Sequence, residues 1–128
     1  MSLPKISTRG ALQDLDLKQG ATLRVEHTLT NTDGTPFDLT GCQVRGQVRK
    51  SALSTPVIQT INTQVQSPAT GGVYEFWLTD EQTQAIPCGE KPSDVASQYV
   101  YDIEVEEPSG DVRCVLEGKI FVIAGVTR

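Results

Sequence analysis

A single histidine and three cysteines with no Cys-x-x-Cys pair leave this chain of 128 residues little from which to build a catalytic or metal centre. A catalytic histidine needs a nucleophile and an orienting carboxylate, and the surroundings of His27 signal neither. Three cysteines are an odd number without zinc-ligand spacing, so Cys42, Cys88 and Cys114 read as free thiols in a reducing compartment. The chain also lacks Gly-x-Gly-x-x-Gly after a strand, Gly-x-x-x-x-Gly-Lys-Ser/Thr and Gly-x-Ser-x-Gly. Apolar runs of the roughly 20 residues that span a bilayer are missing, and Met-Ser-Leu-Pro-Lys has no apolar signal-peptide core. Basic residues are few and scattered, 11 against 16 acidic, and the net charge of −5 argues against binding nucleic acid. The expectation is a soluble, non-enzymatic chain with no catalytic residues, cofactor or metal, and with neither nucleic-acid nor membrane partners.

What the chain does have is turns and alternation. Seven prolines and eleven glycines are spread along it. The clearest stretch is residues 99–123. There Tyr99, Tyr101, Ile103 and Val105 alternate with Val100, Asp102, Glu104 and Glu106, the period of a strand with one buried face. Pro108-Ser109-Gly110-Asp111 then supplies a turn, and an apolar-rich arm runs on to Ile123, so an antiparallel hairpin is predicted. Alternation of Cys114 with Val112 and Leu116 predicts that Cys114 is a small buried side chain. A hairpin alone is marginal in water, so the rest of the chain must cover its apolar face.

The remaining segments extend this reading. Leu23, Val25, His27 and Leu29 form the apolar side of a second strand, on which His27 reads as a core or edge histidine with a satisfied hydrogen bond. Asn31-Thr32-Asp33-Gly34 is a turn, and Val44, Gly46 and Val48 alternate with Arg45, Gln47 and Arg49 in a third strand. Gly46 marks a bulge or a close backbone approach. Residues 57–65 are a weaker strand, and residues 73–78 carry apolar side chains on both faces, as a central strand does. Thr79-Asp80-Glu81-Gln82 is a capping box for a short helical turn near residues 79–86, ended by Pro87. Asp102, Glu104, Glu106 and Glu107 read as a solvated acidic face with Arg45, Arg49 or Arg113 across from it, because a straight strand spaces such groups too widely to enclose calcium. The predicted fold is all-β: an antiparallel sandwich, Ig-like or similar, of about seven or eight strands, as one domain over residues 20–128.

Two stretches fall outside that pattern. Residues 1–19 read as an extended N-terminal arm that lies either on a neighbour or back on its own sheet, and residues 88–98 as a long loop. They supply the candidate partner contacts Leu12, Leu15 and Leu17 in the arm and Glu90, Lys91, Pro92 and Asp94 in the loop.

Four segments carry a resemblance. They are Gln19-Gly20-Ala21-Thr22-Leu23-Arg24; Pro36-Phe37-Asp38-Leu39-Thr40-Gly41 running on to Val48-Arg49-Lys50-Ser51; Leu78-Thr79-Asp80-Glu81-Gln82-Thr83-Gln84-Ala85-Ile86-Pro87; and Tyr99-Val100-Tyr101-Asp102-Ile103-Glu104 through Gly110-Asp111-Val112-Arg113 and Leu116-Glu117-Gly118 to Val126-Thr127-Arg128. In this order they resemble small β-sandwich virion proteins of tailed bacteriophages, over residues 19–128. The resemblance implies a structural subunit made in a bacterial cytoplasm and built into a virion. Its place there would be a tail, baseplate or fibre accessory module, in a homo-oligomer or multi-copy assembly with other virion proteins. The alternatives are a capsid cement or decoration protein and, more weakly, a carbohydrate-binding sandwich using Tyr74, Trp77, Tyr99 and Tyr101.

Overall fold

The computed structural model describes residues 9–89 and 96–126, with the backbone alone at Ala96. The described strands are β1 (Ala11–Leu12), β2 (Leu15–Lys18), β3 (Leu23–Thr28), β4 (Gln43–Arg49), β5 (Gln59–Val65), β6 (Val73–Leu78), β7 (Ala96–Glu106) and β8 (Val112–Ile123), with a helix α1 (Asp80–Ala85) after β6. They follow one hydrogen-bonded path, β1-β8-β7-β4-β5-β6-β3, with β2 beside β8 in the same register as β1. The path folds over at β5. Gln59, Thr60 and Ile61 pair with β4, whereas residues 62–65 pair with β6. One strand therefore belongs to both layers of an all-β, Ig-like sandwich, with β1, β2, β8, β7 and β4 on one side and β6 and β3 on the other.

Alternation decides what fills the space between the layers. Tyr74, Phe76 and Leu78 of β6, Val48 of β4, Tyr101, Ile103 and Val105 of β7, and Leu116, Ile120 and Val122 of β8 are all buried in one core. The Phe76 and Tyr101 rings meet across the two layers at 6.2 Å. Each such side chain stabilises the fold by about 1.5–3 kcal/mol, an upper bound because the unfolded chain also buries some surface. Gly46 is a close approach: a Cβ there would lie 2.5 Å from Ile103 Cδ1 and 2.9 Å from the Asp102 carbonyl oxygen.

The capping box forms as read. Gln82 N–H donates to Thr79 Oγ1 at 3.2 Å, and Thr79 N–H donates to Gln82 Oε1 at 2.9 Å. The cap leads the chain into α1, which points the fully buried Thr83 at the link between β2 and β3, where Gly20 N–H donates to its hydroxyl at 3.1 Å.

Three sequence readings need correction. Residues 11–18 pair with β8 of their own chain, and in parallel, so the sandwich is not purely antiparallel. The reason is that Leu15 and Leu17 alternate with Asp14, Asp16 and Lys18. On β8 that alternation carries both leucines into the core, where Leu15 is 9% and Leu17 2% exposed. Neither is available as a partner contact. Second, Cys114 is only partly buried and lies outside the core. β8 bulges between Leu116, which pairs with Ile103, and Cys114, which pairs with Glu104. The extra residue, Val115, reverses the faces of the preceding residues. Cys114 therefore joins Glu104 on the outer face, and Val112 becomes 46% exposed. Third, β7 begins at Ala96, three residues before the expected strand start. The loop candidates Glu90, Lys91, Pro92 and Asp94 lie outside the described residues.

Candidate interaction surface

The outer face of the β4–β7–β8–β1 layer follows from the same alternation that fills the core. Arg45, Gln47 and Arg49 of β4 stand opposite Glu104, Asp102 and Val100 of β7; Glu117 and Lys119 of β8 stand opposite Asp102 and Val100 on the other side. Arg45 reaches Glu104 at 3.8 Å and Glu106 at 3.7 Å, so part of the acidic face has an expected cross-strand cation, whereas Arg113, opposite the buried Val105 and over the Phe37 ring, holds Glu107 at 2.8 Å, away from this face. These half-exposed pairs contribute little to stability. Arg49 forms no ion pair with β7 among the described residues. Its guanidinium donates to the carbonyls of Ser54 and Thr55 and to Gln47 Oε1, tying down the loop after β4.

Between these side chains and β1 lies an open groove of about 830 Å³, lined by Arg9, Leu12, Asp14, Arg49, Val100, Asp102, Glu104, Glu117 and Lys119 among others. Its wall is held by unlike groups. Glu117 Oε1 accepts from Arg9 Nε at 2.8 Å and Nη2 at 2.5 Å, and Asp14 Oδ1 accepts from Lys119 N–H at 2.9 Å. Below the groove the Tyr101 hydroxyl donates to the Gln13 carbonyl at 2.5 Å. The Arg9 guanidinium, more than any other influence, holds the Glu117 carboxyl below its ordinary value.

Asp102 is the exception. It stands on the groove floor, and the loss of surrounding water, followed by the charges of Glu104 and Glu117, pushes its carboxyl above the usual value against the opposing pull of Arg49. Cys114, brought alongside by the bulge, donates its thiol to Glu117 Oε2 at 3.4 Å and is pushed up to about 11, first by burial and then by that bond. Such a thiol is a poor nucleophile near neutral pH.

Leu12 is the one sequence-predicted contact residue found on this surface. It sits on the outermost strand, 71% exposed, at the rim of the groove. Val100, Asp102, Glu117 and Lys119 were not foreseen as contacts. Alternation puts them outside, but only the pairing of β7 with β8 and of β1 with β8 brings them to one place.

His27 lies elsewhere, on β3. Its Nδ1 is 2.8 Å from the Tyr74 hydroxyl, and the two rings meet edge to face at 5.3 Å. Burial lowers the imidazole below its ordinary value. Among the described residues no group of three His, Cys, Asp or Glu side chains is placed to hold a metal ion. Of the aromatics offered for carbohydrate binding, Tyr74, Tyr99 and Tyr101 are buried in the core. The face of Trp77 is covered by Arg24, 5.1 Å from the ring centre.

No family model matches this chain, and no curated protein does. Among solved structures it is similar to a chain of the ZIG-8–RIG-5 IG1–IG1 heterodimer, at 5% identity and a TM-score of 0.37, over 96% of this chain and 90% of that one. It is similar to a chain from a study of multimeric cell-adhesive interactions of VGSC beta subunits, at 10% identity and a TM-score of 0.38, over 98% of each. It is similar to murine CRIg, at 10% identity and a TM-score of 0.38, over 88% of this chain and 92% of that one. At such scores the likeness concerns the general path of the chain and nothing about partners.

These findings correct the resemblance to tailed-phage virion proteins. The neighbours named are Ig-type domains and not phage proteins, and neither a family model nor a curated sequence ties the chain to a virion. The tail, baseplate or fibre role, the capsid-cement alternative and the virion partners fall with it. The four segments that carried the resemblance are turns, caps and alternating strands, which any sandwich of this kind requires.

Proposed function

We propose that the chain is a protein-binding module whose contact surface is the groove on the outer face of β4, β7, β8 and β1. The observation that carries this reading is the state of Asp102. Partial loss of water and the charges of Glu104 and Glu117 push its carboxyl up, and Arg49, whose charge pulls the other way, is also engaged by loop carbonyls. A cation brought to that position offsets the crowding of negative charge. Leu12, exposed on the rim, supplies an apolar contact next to it. The occupant that fits both is an extended segment of a partner protein with a lysine or arginine beside an aliphatic residue. Binding of this kind needs no chemistry from the chain, consistent with the hydroxyl of Tyr74 being the partner of the only histidine.

The test is amide-shift mapping with a short peptide alternating lysine and valine, and the same peptide with glutamate for lysine as control. The expected result is shifts clustered at residues 12, 100–104 and 117–119 with the basic peptide only, weakened several-fold by Asp102→Asn and lost with Leu12→Asp. Equal responses to both peptides, or shifts elsewhere, would remove the groove from consideration.

A further inference from the structure

The opposite end of the sheet points to a second surface, independent of the groove. β3 pairs with β6 on one side, and among the described residues no strand lies on its other side. The hydrogen-bonding direction of each residue can be read off the ladder. Gln66 N–H donates to the Val73 carbonyl at 2.9 Å, turning Val73 toward β5, and Leu29 N–H donates to the Gly72 carbonyl at 2.7 Å. With Leu23, Val25 and His27 opposite Leu78, Phe76 and Tyr74, those three residues bond to β6. The main-chain groups of Arg24, Glu26 and Thr28 are turned to the open edge.

Two further observations say what fits there. Leu23, Val25 and His27 lie on the inner face yet remain only half-buried, so the core is uncovered along this edge. On the outer face Glu26 stands directly opposite Glu75, a like-charged pair that shares one cation: Arg24 bonds to Glu75, and Glu26 has no ion pair among the described residues.

We propose that β3 is a seam between two copies of this chain, paired antiparallel about a two-fold axis at Val25. In that register Arg24 of each copy lies opposite Glu26 of the other, both on the outer face, while Val25 meets Val25 and Leu23 meets His27 over the open core. The neighbouring registers that keep edge-facing groups paired set Glu26 against Glu26, Arg24 against Arg24, or Glu26 against Thr28. Only the register centred on Val25 supplies each Glu26 with a cation. The dimer continues β5, β6 and β3 into a six-stranded layer, and because one edge strand buries less than a standard interface, its association is weak and reversible.

The experiment is sedimentation equilibrium of the full chain up to millimolar concentration, with amide exchange at Arg24, Glu26 and Thr28. The expected result is a dimer whose formation protects those amides as concentration rises. Glu26→Lys sets lysine against Arg24 twice and raises the dissociation constant about tenfold. Arg24→Glu does the same with acids, and mixing the two variants recovers the dimer as a heterodimer, which unfolded variants would not do. A monomer at every concentration, or a dimer indifferent to either substitution, overturns the proposal. So does protection that is independent of concentration and released on removing residues 1–8, which would make the chain's own N-terminal segment the occupant. Leu12→Asp leaves the dimer intact, separating this result from any failure of the groove.

Discussion

His27 ties the chain's stability to pH in the range just below neutrality. Burial lowers its imidazole below the ordinary value of 6.5, so between the two values the unfolded chain binds more protons than the folded one, and stability rises with pH there. It is complete above the unfolded value and is lost as pH falls through 6.5 toward the folded one. Thermal unfolding from pH 7.5 to pH 5 is expected to show a falling midpoint below about 6.5, and His27→Gln, which keeps a partner for the Tyr74 hydroxyl, is expected to flatten it. The sequence placed His27 on an apolar strand face correctly, because period-2 alternation is a local property. It placed Cys114 wrongly by the same rule. One extra residue at Val115 reverses the alternation, and nothing in the neighbouring side chains announces it.

At the scale of elements, the parallel docking of β1 and β2 on β8 is the least local feature of the fold. It depends on Gly118. A Cβ there would lie 2.2 Å from the Gln13 carbonyl oxygen and 2.8 Å from its carbon, and backbone cannot move aside as a side-chain tip can. Gly118→Ala is therefore expected to lift residues 11–18 from β8 while the hairpin of β7 and β8 survives. Hydrogen exchange checks this: amides of β2 should lose protection in the variant while those of β7 opposite β4 keep theirs. The burial of Leu15 and Leu17 would go with it, at a cost of about 2–5 kcal/mol by analogy with large-to-small core substitutions. The hairpin and the cap of α1 were legible because each is completed within a short stretch of chain. The arm was left open between its own sheet and a neighbour's, since alternating leucines specify a strand but not its partner.

For the whole molecule, two properties follow from topology and thiol placement. The sheet joins the first described strand to the last, with Ala11 opposite Leu116 and Leu15 opposite Ile120. Closing contacts so far apart in the chain slows folding, so refolding after dilution from denaturant is expected on the millisecond-to-second scale of β-sandwiches. The three cysteines are free, so the unfolding midpoint is expected to be the same with and without reductant. A midpoint that falls on reduction would mean a disulfide that this arrangement does not contain.

The amino-acid sequence by itself determined the fold class, the hairpin, the helix cap, and which side chains turn inward along the strands outside the bulged start of β8, because propensity, capping and alternation act over a few residues. Tertiary structure alone decided which strand lies beside which, where β8 bulges, that Leu15 and Leu17 belong to the core while Leu12 does not, and that Asp102, Glu104 and Glu117 share one groove. Those outcomes rest on pairing between segments up to about a hundred residues apart, where many strands of similar pattern compete and only the closed core selects among them.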